Sequence, residues 1–179
     1  MTSFVEEVAA TPGGEHIRAC IQCGICTGSC PMAGEMEYPP RKIIALVRAG
    51  MRDEVLSSSS MWHCLSCYMC TVRCPRDVKP TELAHALEAL AAEHRFRVEG
   101  TRTPAMYRSF VSSIGNNGRV HEFGLMLTFF LRTNPLAAVK LLPLALSLVR
   151  HGRMPLKPHR IGGRKELKQI LHKLTKIGS

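Results

Sequence analysis

Two cysteine runs constrain this chain more than any other feature. CIQCGICTGSCP runs from Cys20 to Pro31 and CLSCYMCTVRCP from Cys64 to Pro75, and together they hold all eight cysteines. Each has the spacing C-x-x-C-x-x-C-x-x-x-C-P, in which three thiolates on one tight loop embrace a four-iron cluster while the fourth points towards a second cluster. That crossing assigns Cys20, Cys23, Cys26 and Cys74 to one [4Fe-4S] cluster, and Cys64, Cys67, Cys70 and Cys30 to the other, so that the swap staples the halves together. A disulfide framework and two zinc sites are the competing readings. Four sulfurs per group suit zinc, but a Cys-Pro trailing a third cysteine is not the paired spacing of a zinc ribbon.

The 179 residues suit one domain with an extension, the clusters and their ligands standing in for part of the core. The opening MTSFVEEVAATPGG has neither a basic n-region nor an apolar h-region. The expectation is a cytoplasmic protein, where cysteines stay reduced and serve as metal ligands. With every cysteine assigned to a cluster, no thiol is left for nucleophilic catalysis or disulfide exchange. Neither a G-x-G-x-x-G fingerprint nor a phosphate loop occurs, so flavin, nicotinamide and ATP have no evident site and no catalytic residue is expected.

Charge divides the chain. Residues 1–100 hold 10 Lys/Arg against 12 Asp/Glu and residues 101–179 hold 14 against 2, giving formal charges of −2 and +12. A basic half can close on its own acidic domain, on an acidic partner or on nucleic acid. With no zinc-finger spacing, no RNA-binding aromatic signature and only 10 aromatic residues, nucleic acid is not the expected partner.

In chain order, Phe4–Ala10 reads as a helical turn ended by Pro12-Gly13-Gly14. Gly24 and Gly28 fit a loop whose amides approach cluster sulfurs, although any tight turn also selects glycine. Pro31 and Pro75 redirect the chain after a ligand. Between the runs, Pro40 suits a first helical position, Ile43, Ile44 and Val47 form an apolar face, and Gly50 is a stop. A turn over Asp53–Leu56 precedes Ser57-Ser58-Ser59-Ser60, read as a local loop and cap rather than a linker. Trp62, the only tryptophan, reads as core beside the second cluster, and His16 and His63 as solvated or packed, with cluster modulation the sharper alternative.

After the second run, Thr81 and Glu82 suggest a cap and an acidic first turn for a helix carrying Leu83, Leu87, Leu90 and Ala91 and closing at Gly100. Thr103-Pro104 opens another, with Met106, Phe110, Val111 and Ile114 on one side and a break at Gly115–Gly118. Residues 123–149 are apolar, but Arg132, Asn134, Pro135, Lys140 and Pro143 interrupt them, so the expectation is two or three short helices rather than a transmembrane segment. Met126, Phe129 and Phe130 read as core. Arg153–Gly163 should run extended past Pro155 and Pro158. A last amphipathic helix places Leu167, Ile170, Leu171, Leu174 and Ile177 opposite Lys165, Lys168, Lys173 and Lys176. No alternating strand pattern occurs, so the fold class expected is mainly α, with a two-cluster domain over residues 1–100 and a helical, apolar then basic extension over residues 101–179.

These runs, the intervening PPRKIIALVRAGMRDEVLSSSSMWHCLSCYMCTVRCPRDV and the helix after Pro80 resemble the C subunit of heterodisulfide reductase. The resemblance covers roughly residues 15–100, with PRKII, W-x-C-x-x-C-Y-x-C and RCPR-x-V in the expected order. It implies an α-helical ferredoxin fold and electron transfer between a catalytic, cysteine-rich B subunit and a flavin-bearing A subunit. The apolar then basic extension resembles the C subunits of the heterodisulfide-reductase-like complex of bacterial sulfur oxidation. Methanogen-type reduction of a coenzyme M and coenzyme B heterodisulfide is the alternative, as is a stand-alone two-cluster ferredoxin. Residues 120–179 are expected to form much of the interface with the B subunit.

Overall fold

The computed structural model describes residues 3–98, 100–155, 157–159 and 161–177. It contains helices and turns, with no strand among the described residues. Two compact units divide the chain, Met1–Thr101 and Arg102–Ser179.

The first unit carries six helices: α1 (Phe4–Ala10), α2 (Ile25–Gly28), α3 (Pro40–Arg48), α4 (Arg52–Ser57), α5 (Met69–Val72) and α6 (Pro80–Glu93). Its core is continuous. Val8 from α1, Ile44 and Val47 from α3, Val55 and Leu56 from α4 and Leu83 and Leu87 from α6 pack with Ile17 and Met61. Pro40 sits in the first turn of α3, where its fixed φ suits the helix and its missing N–H is not needed. The Ile43, Ile44 and Val47 face is buried as its spacing predicts. Trp62 is half-buried against the same core. The serine run is a tight connection: Ser58 Oγ donates to Val55 O over 2.9 Å, and Ser60 Oγ accepts from the Tyr38 amide over 2.8 Å.

Two expectations for α6 need correction. Its N-cap is Lys79, in the left-handed region at φ 54°, and not Thr81, whose hydroxyl points elsewhere. Nor does the helix run to Gly100. It closes at His94 in a Schellman arrangement, with Arg95 left-handed at φ 56°, its N–H donating to Ala92 O and the Phe96 N–H to Ala91 O. Phe96 then packs on the core, and that apolar contact turns the chain before the glycine is reached.

The second unit carries α7 (Thr103–Asn117), α8 (Glu122–Thr133), α9 (Pro135–Arg150) and α10 (Arg164–Ile177). Helix α7 packs against α8 and α10, and α8 against α9. The buried residues of α7 are Ser109 and Ser113, while Phe110 and Val111 are exposed, contrary to the apolar face expected from their spacing. The reason lies at His121. Ser113 Oγ accepts the His121 amide over 3.0 Å, and His121 Nδ1 accepts from the Gly124 amide over 3.1 Å, which caps α8. With Nδ1 accepting, Nε2 carries the proton and donates to Pro155 O over 3.0 Å.

Asn134 divides α8 from α9 and caps the latter, its Oδ1 accepting from the Leu136 and Ala137 amides. Pro143 makes no second division: α9 runs through it, losing the one backbone bond that its nitrogen cannot donate. No residue of α9 is buried, and Leu136, Val139, Leu142, Leu144 and Leu146 are all exposed. Met126 and Phe130 line an open apolar groove between α8 and α9 instead of a closed core. Lys165, Lys168 and Lys173 of α10 are exposed, Leu167 and Leu171 are half-buried, and the side chains of Leu174, Lys176 and Ile177 lie outside those described. No described helix is long and apolar enough to cross a membrane.

Candidate functional site: two sulfur-lined cavities

The two cysteine runs share one backbone design. Each begins after a 3-10 turn, over Ile17–Ala19 and Ser60–His63, and each contains a single short helical turn, α2 or α5. Two residues beyond the first cysteine the chain turns left-handed, at Gln22 (φ 59°) and Ser66 (φ 51°), and again two residues before the third, at Gly24 (φ 84°) and Tyr68 (φ 60°). Those reversals bend the segment so that three sulfurs face inward. Only Gly24 takes up this conformation without steric cost; at Tyr68 a side chain is carried through a region that costs an L-residue roughly 1–2 kcal/mol.

Folding brings the runs together, as α2 packs on α5. One cavity is lined by Cys20, Cys23, Cys26 and Cys74, and a second by Cys30, Cys64, Cys67 and Cys70. Each thus gathers three sulfurs from one run and the last sulfur of the other. Ile44, 2% exposed, and Pro80 line both cavities and form the wall between them. Pro31 closes the second cavity and Pro75 the first. Neither His16 nor His63 lines a cavity; His63 Nδ1 lies 2.9 Å from Ser59 O.

The donor set fits four-iron clusters. All eight cysteines are free thiols. Among the described residues no three His, Cys, Asp or Glu side chains converge as ligands of a single ion do, and the sulfurs ring a volume instead. Burial pushes the Cys26 thiol up to about 11, and the neighbouring cysteines Cys20, Cys70 and Cys23 push the same way, against a lowering backbone hydrogen bond at Thr27. Burial also raises Cys30 and Cys64. Thiols so placed stay protonated without a cation, and iron binding must displace their protons.

Hydrogen bonds already reach these sulfurs. The Gln22 backbone amide donates to Cys20 Sγ over 3.4 Å, its side-chain Nε2 donates to the same atom over 3.5 Å, and the Val78 amide donates to Cys74 Sγ over 3.4 Å. Thr81 Oγ1, almost wholly buried, lies 3.3 Å from Cys70 Sγ. Beside the second run, Ser66 Oγ lies 3.0 Å from His85 Nε2, and His85 Nδ1 lies 3.4 Å from Glu88 Oε2. Sequence reasoning missed Gln22, Thr81 and His85. Gln22 sits inside a ligand motif and was open to notice, but the other two reach their cysteine run only through the packing of α6.

Residues 16–78 match the 4Fe-4S dicluster domain family. Over 93 residues the chain is 45% identical to the second C-type iron-sulfur subunit of the CoB–CoM heterodisulfide reductase of Methanocaldococcus jannaschii, covering 52% of this chain and 50% of that protein. It is 34% identical over 119 residues to the C subunit of the H(2):CoB-CoM heterodisulfide,ferredoxin reductase of Methanothermobacter thermautotrophicus, covering 66% and 62%. A protein of Archaeoglobus profundus that is itself named for its likeness to the heterodisulfide reductase C subunit is 35% identical over 120 residues, covering 64% of each chain. The chain spans between half and two thirds of the length of these relatives. It carries a dicluster domain, which implies two [4Fe-4S] clusters, and is a relative of the iron-sulfur C subunits of heterodisulfide reductases.

Proposed function

We propose that this chain is the electron-transfer subunit of a heterodisulfide-reductase-like complex, passing electrons between a cysteine-rich catalytic B subunit and a flavin-bearing A subunit. Cys20, Cys23, Cys26 and Cys74 hold one cluster, and Cys64, Cys67, Cys70 and Cys30 hold the other. The observation that carries this reading is the composition of the two cavities, each with three sulfurs of one run and the fourth of the other. When bound, each cluster supplies a one-electron store. The chain's own residues fix the two stores on either side of a wall of Ile44 and Pro80, keep water from the second with Met61, Leu83 and Leu87, and donate hydrogen bonds to their ligands. Chemistry on the substrate is assigned to a partner, a reading supported by relatives that are named as iron-sulfur subunits of a larger reductase.

We place the complex in cytoplasmic sulfur oxidation, on the strength of the long apolar then basic extension. A second reading, reduction of the CoB–CoM heterodisulfide, is supported by the names of the relatives. Anaerobic purification of the tagged chain from its native host tests the proposal. The expected result is about eight irons and eight acid-labile sulfides per chain, together with a stoichiometric cysteine-rich protein and a flavoprotein. Assay of that complex with CoB–CoM heterodisulfide and with a reduced sulfur donor separates the two readings. Stoichiometric zinc, or a cluster-loaded chain that purifies alone, would overturn the proposal.

A further inference from the structure

The two cavities differ in what surrounds their sulfurs. Around the first, three N–H groups already donate to ligand sulfur: the Gln22 amide and side chain to Cys20, and the Val78 amide to Cys74. Two guanidinium side chains, Arg41 and Arg76, line that cavity. Arg76 Nε donates to Ala19 O over 3.3 Å and Arg48 Nη1 to Cys20 O over 2.7 Å, which fixes positive charge beside the first ligand. Around the second cavity, the lining among the described residues contains no charged side chain and is dominated by Pro, Met, Ile and Leu. Backbone amides at Ser66 and at Met32 and Ala33 act on Cys64 and Cys30 there, so amide donors serve both cavities, and the contrast lies in the guanidinium groups and the Gln22 side chain, which the second cavity lacks. One hydroxyl, that of Thr81, reaches Cys70; against a thiolate it must act as the donor. Burial is the largest effect disfavouring negative charge on Cys64, and the Cys70 sulfur and the Glu88 carboxyl add to it.

Reduction of a four-iron cluster adds one negative charge to a group already anionic. Hydrogen bonds to its sulfurs and nearby cations stabilise the reduced form, whereas apolar burial and a neighbouring carboxylate disfavour it. From this asymmetry we infer that the cluster held by the first run is the higher-potential centre and takes the first electron, with Gln22, Arg41 and Arg76 raising its potential and Thr81 raising that of the second cluster. Within the chain, an electron then moves downhill from the second cavity to the first, across the Ile44 wall. The inference rests on the ligand sets proposed above.

The test is an EPR-monitored redox titration of the anaerobically purified, cluster-loaded full-length chain, with dithionite as reductant. Each step places one electron on one cluster, taking it from the 2+ to the 1+ state with no bond made or broken. Cys26→Ser and Cys67→Ser assign the steps, because a serine ligand shifts its own cluster and each residue belongs to the inner three of its run. Two separate steps are expected, the higher one moved by Cys26→Ser. Gln22→Met and Arg76→Met should lower that step and narrow the gap. Thr81→Val should lower only the other step and widen it, with Thr81→Ser restoring the parent value.

A single unresolved step, a higher step that moves with Cys67→Ser, or potentials indifferent to Gln22→Met, Arg76→Met and Thr81→Val would overturn the ordering. A Gln22, Arg76 or Thr81 variant that loses its cluster is replaced by Arg41→Gln for the first cavity or Thr81→Ala for the second, each of which still removes the charge or the donor, read against the parent in the same way. Failure of the ligand sets has a separate signature: loss of the Cys64, Cys67 and Cys70 cluster on Cys74→Ala, whatever the order of potentials.

Discussion

Arg52 grips Glu7 from 45 positions further along the sequence, its Nε and Nη2 each donating to one carboxylate oxygen over 2.9 Å. The same guanidinium lies 6.0 Å from the ring centre of Phe4 and 5.4 Å from that of Phe96, and His94 Nε2 is 3.1 Å from Glu7 Oε1. One side chain of α4 thereby ties the first helix to the segment that closes α6. The Arg52 fork holds the Glu7 carboxyl below the usual carboxylate range, with the Arg52 and His94 charges adding to it against the opposing effect of burial.

Because the folded-state value is depressed, this contribution is complete above the unfolded carboxyl value of about 4.3. It is lost as pH falls through the lower folded value. Both side chains keep some contact with water, so solvent screening limits the pair to about 1 kcal/mol. Glu7→Gln should therefore lower the unfolding midpoint at pH 7, and its difference from the parent should close below about pH 4. Anaerobic thermal melts of the two proteins at matched pH provide the measurement; a difference that persisted unchanged into acid would contradict the assignment.

Ile44 is buried at the wall shared by both cavities. Ile44→Ala should cost roughly 2–5 kcal/mol through lost burial and the void left behind. Leu56→Ala, equally buried but absent from either lining, should destabilise by a similar amount. Only the Ile44 variant should lose both clusters faster in air, since it alone opens a path for water and oxygen to the sulfurs. Bleaching of cluster absorbance on exposure to air, compared between the two variants, decides the point.

Gly14 is required by its neighbours. A Cβ there would collide with the Val8 carbonyl oxygen and lie 3.1 Å from Val8 Cγ1, both belonging to a fully buried residue of α1. Neither atom is the free end of a long side chain, so α1 itself would have to shift. Gly14→Ala should destabilise by about 1–3 kcal/mol, whereas Gly28→Ala, with nothing within 4 Å of its would-be Cβ, should be close to neutral. Denaturation midpoints of the cluster-loaded proteins distinguish the two.

The proposed crossing of ligands between the runs gives a sharper expectation. Cys74→Ala should damage the cluster of Cys20, Cys23 and Cys26, although it lies in the other run, because Cys74 lines their cavity. Cys30→Ala should damage the cluster of Cys64, Cys67 and Cys70. EPR of each reduced variant, with iron analysis, shows which signal survives; damage confined to a variant's own run would defeat the pairing.

What could be read from sequence followed physical locality. The α3 start, its buried Ile43, Ile44 and Val47 face and the segmentation at Asn134 rest on proline, asparagine and apolar spacing, which act within a few residues. The errors arose where distant contacts override such signals. Phe96 closes α6 before Gly100 because it finds the core, and Pro143 fails to break α9 because a helix loses only one backbone bond there. Ser109 and Ser113 take the buried face of α7 in place of its larger residues, Ser113 accepting the His121 amide and Ser109 donating within its own helix to Ala105 O. The cysteine spacing picked out the eight sulfurs that line the two cavities, whereas Thr81, which looks like a helix cap in sequence, shows its sulfur contact only once α6 packs beside α5.

The division at Thr101 yields a final prediction. Met1–Thr101 contains all eight cysteines and the described hydrophobic core around both cavities, so truncation after Thr101 should leave a soluble protein with both clusters reducible. Cutting after Gly118 is the poorer design, since it would strip α8 and α10 from α7. The removed unit exposes a run of apolar side chains on α9, with Leu136 74% accessible, within a half-chain of formal charge +12. A surface of that kind is stabilised by burial against an acidic partner. Stable association with the proposed cysteine-rich partner should therefore be lost on truncation, as read by co-purification of the two proteins under anaerobic conditions. If the truncated, cluster-loaded protein still bound at full strength, docking would belong instead to the rim of the cysteine loops, where Ile21, Leu65, Tyr68 and Val72 are exposed, Val72 to 84%.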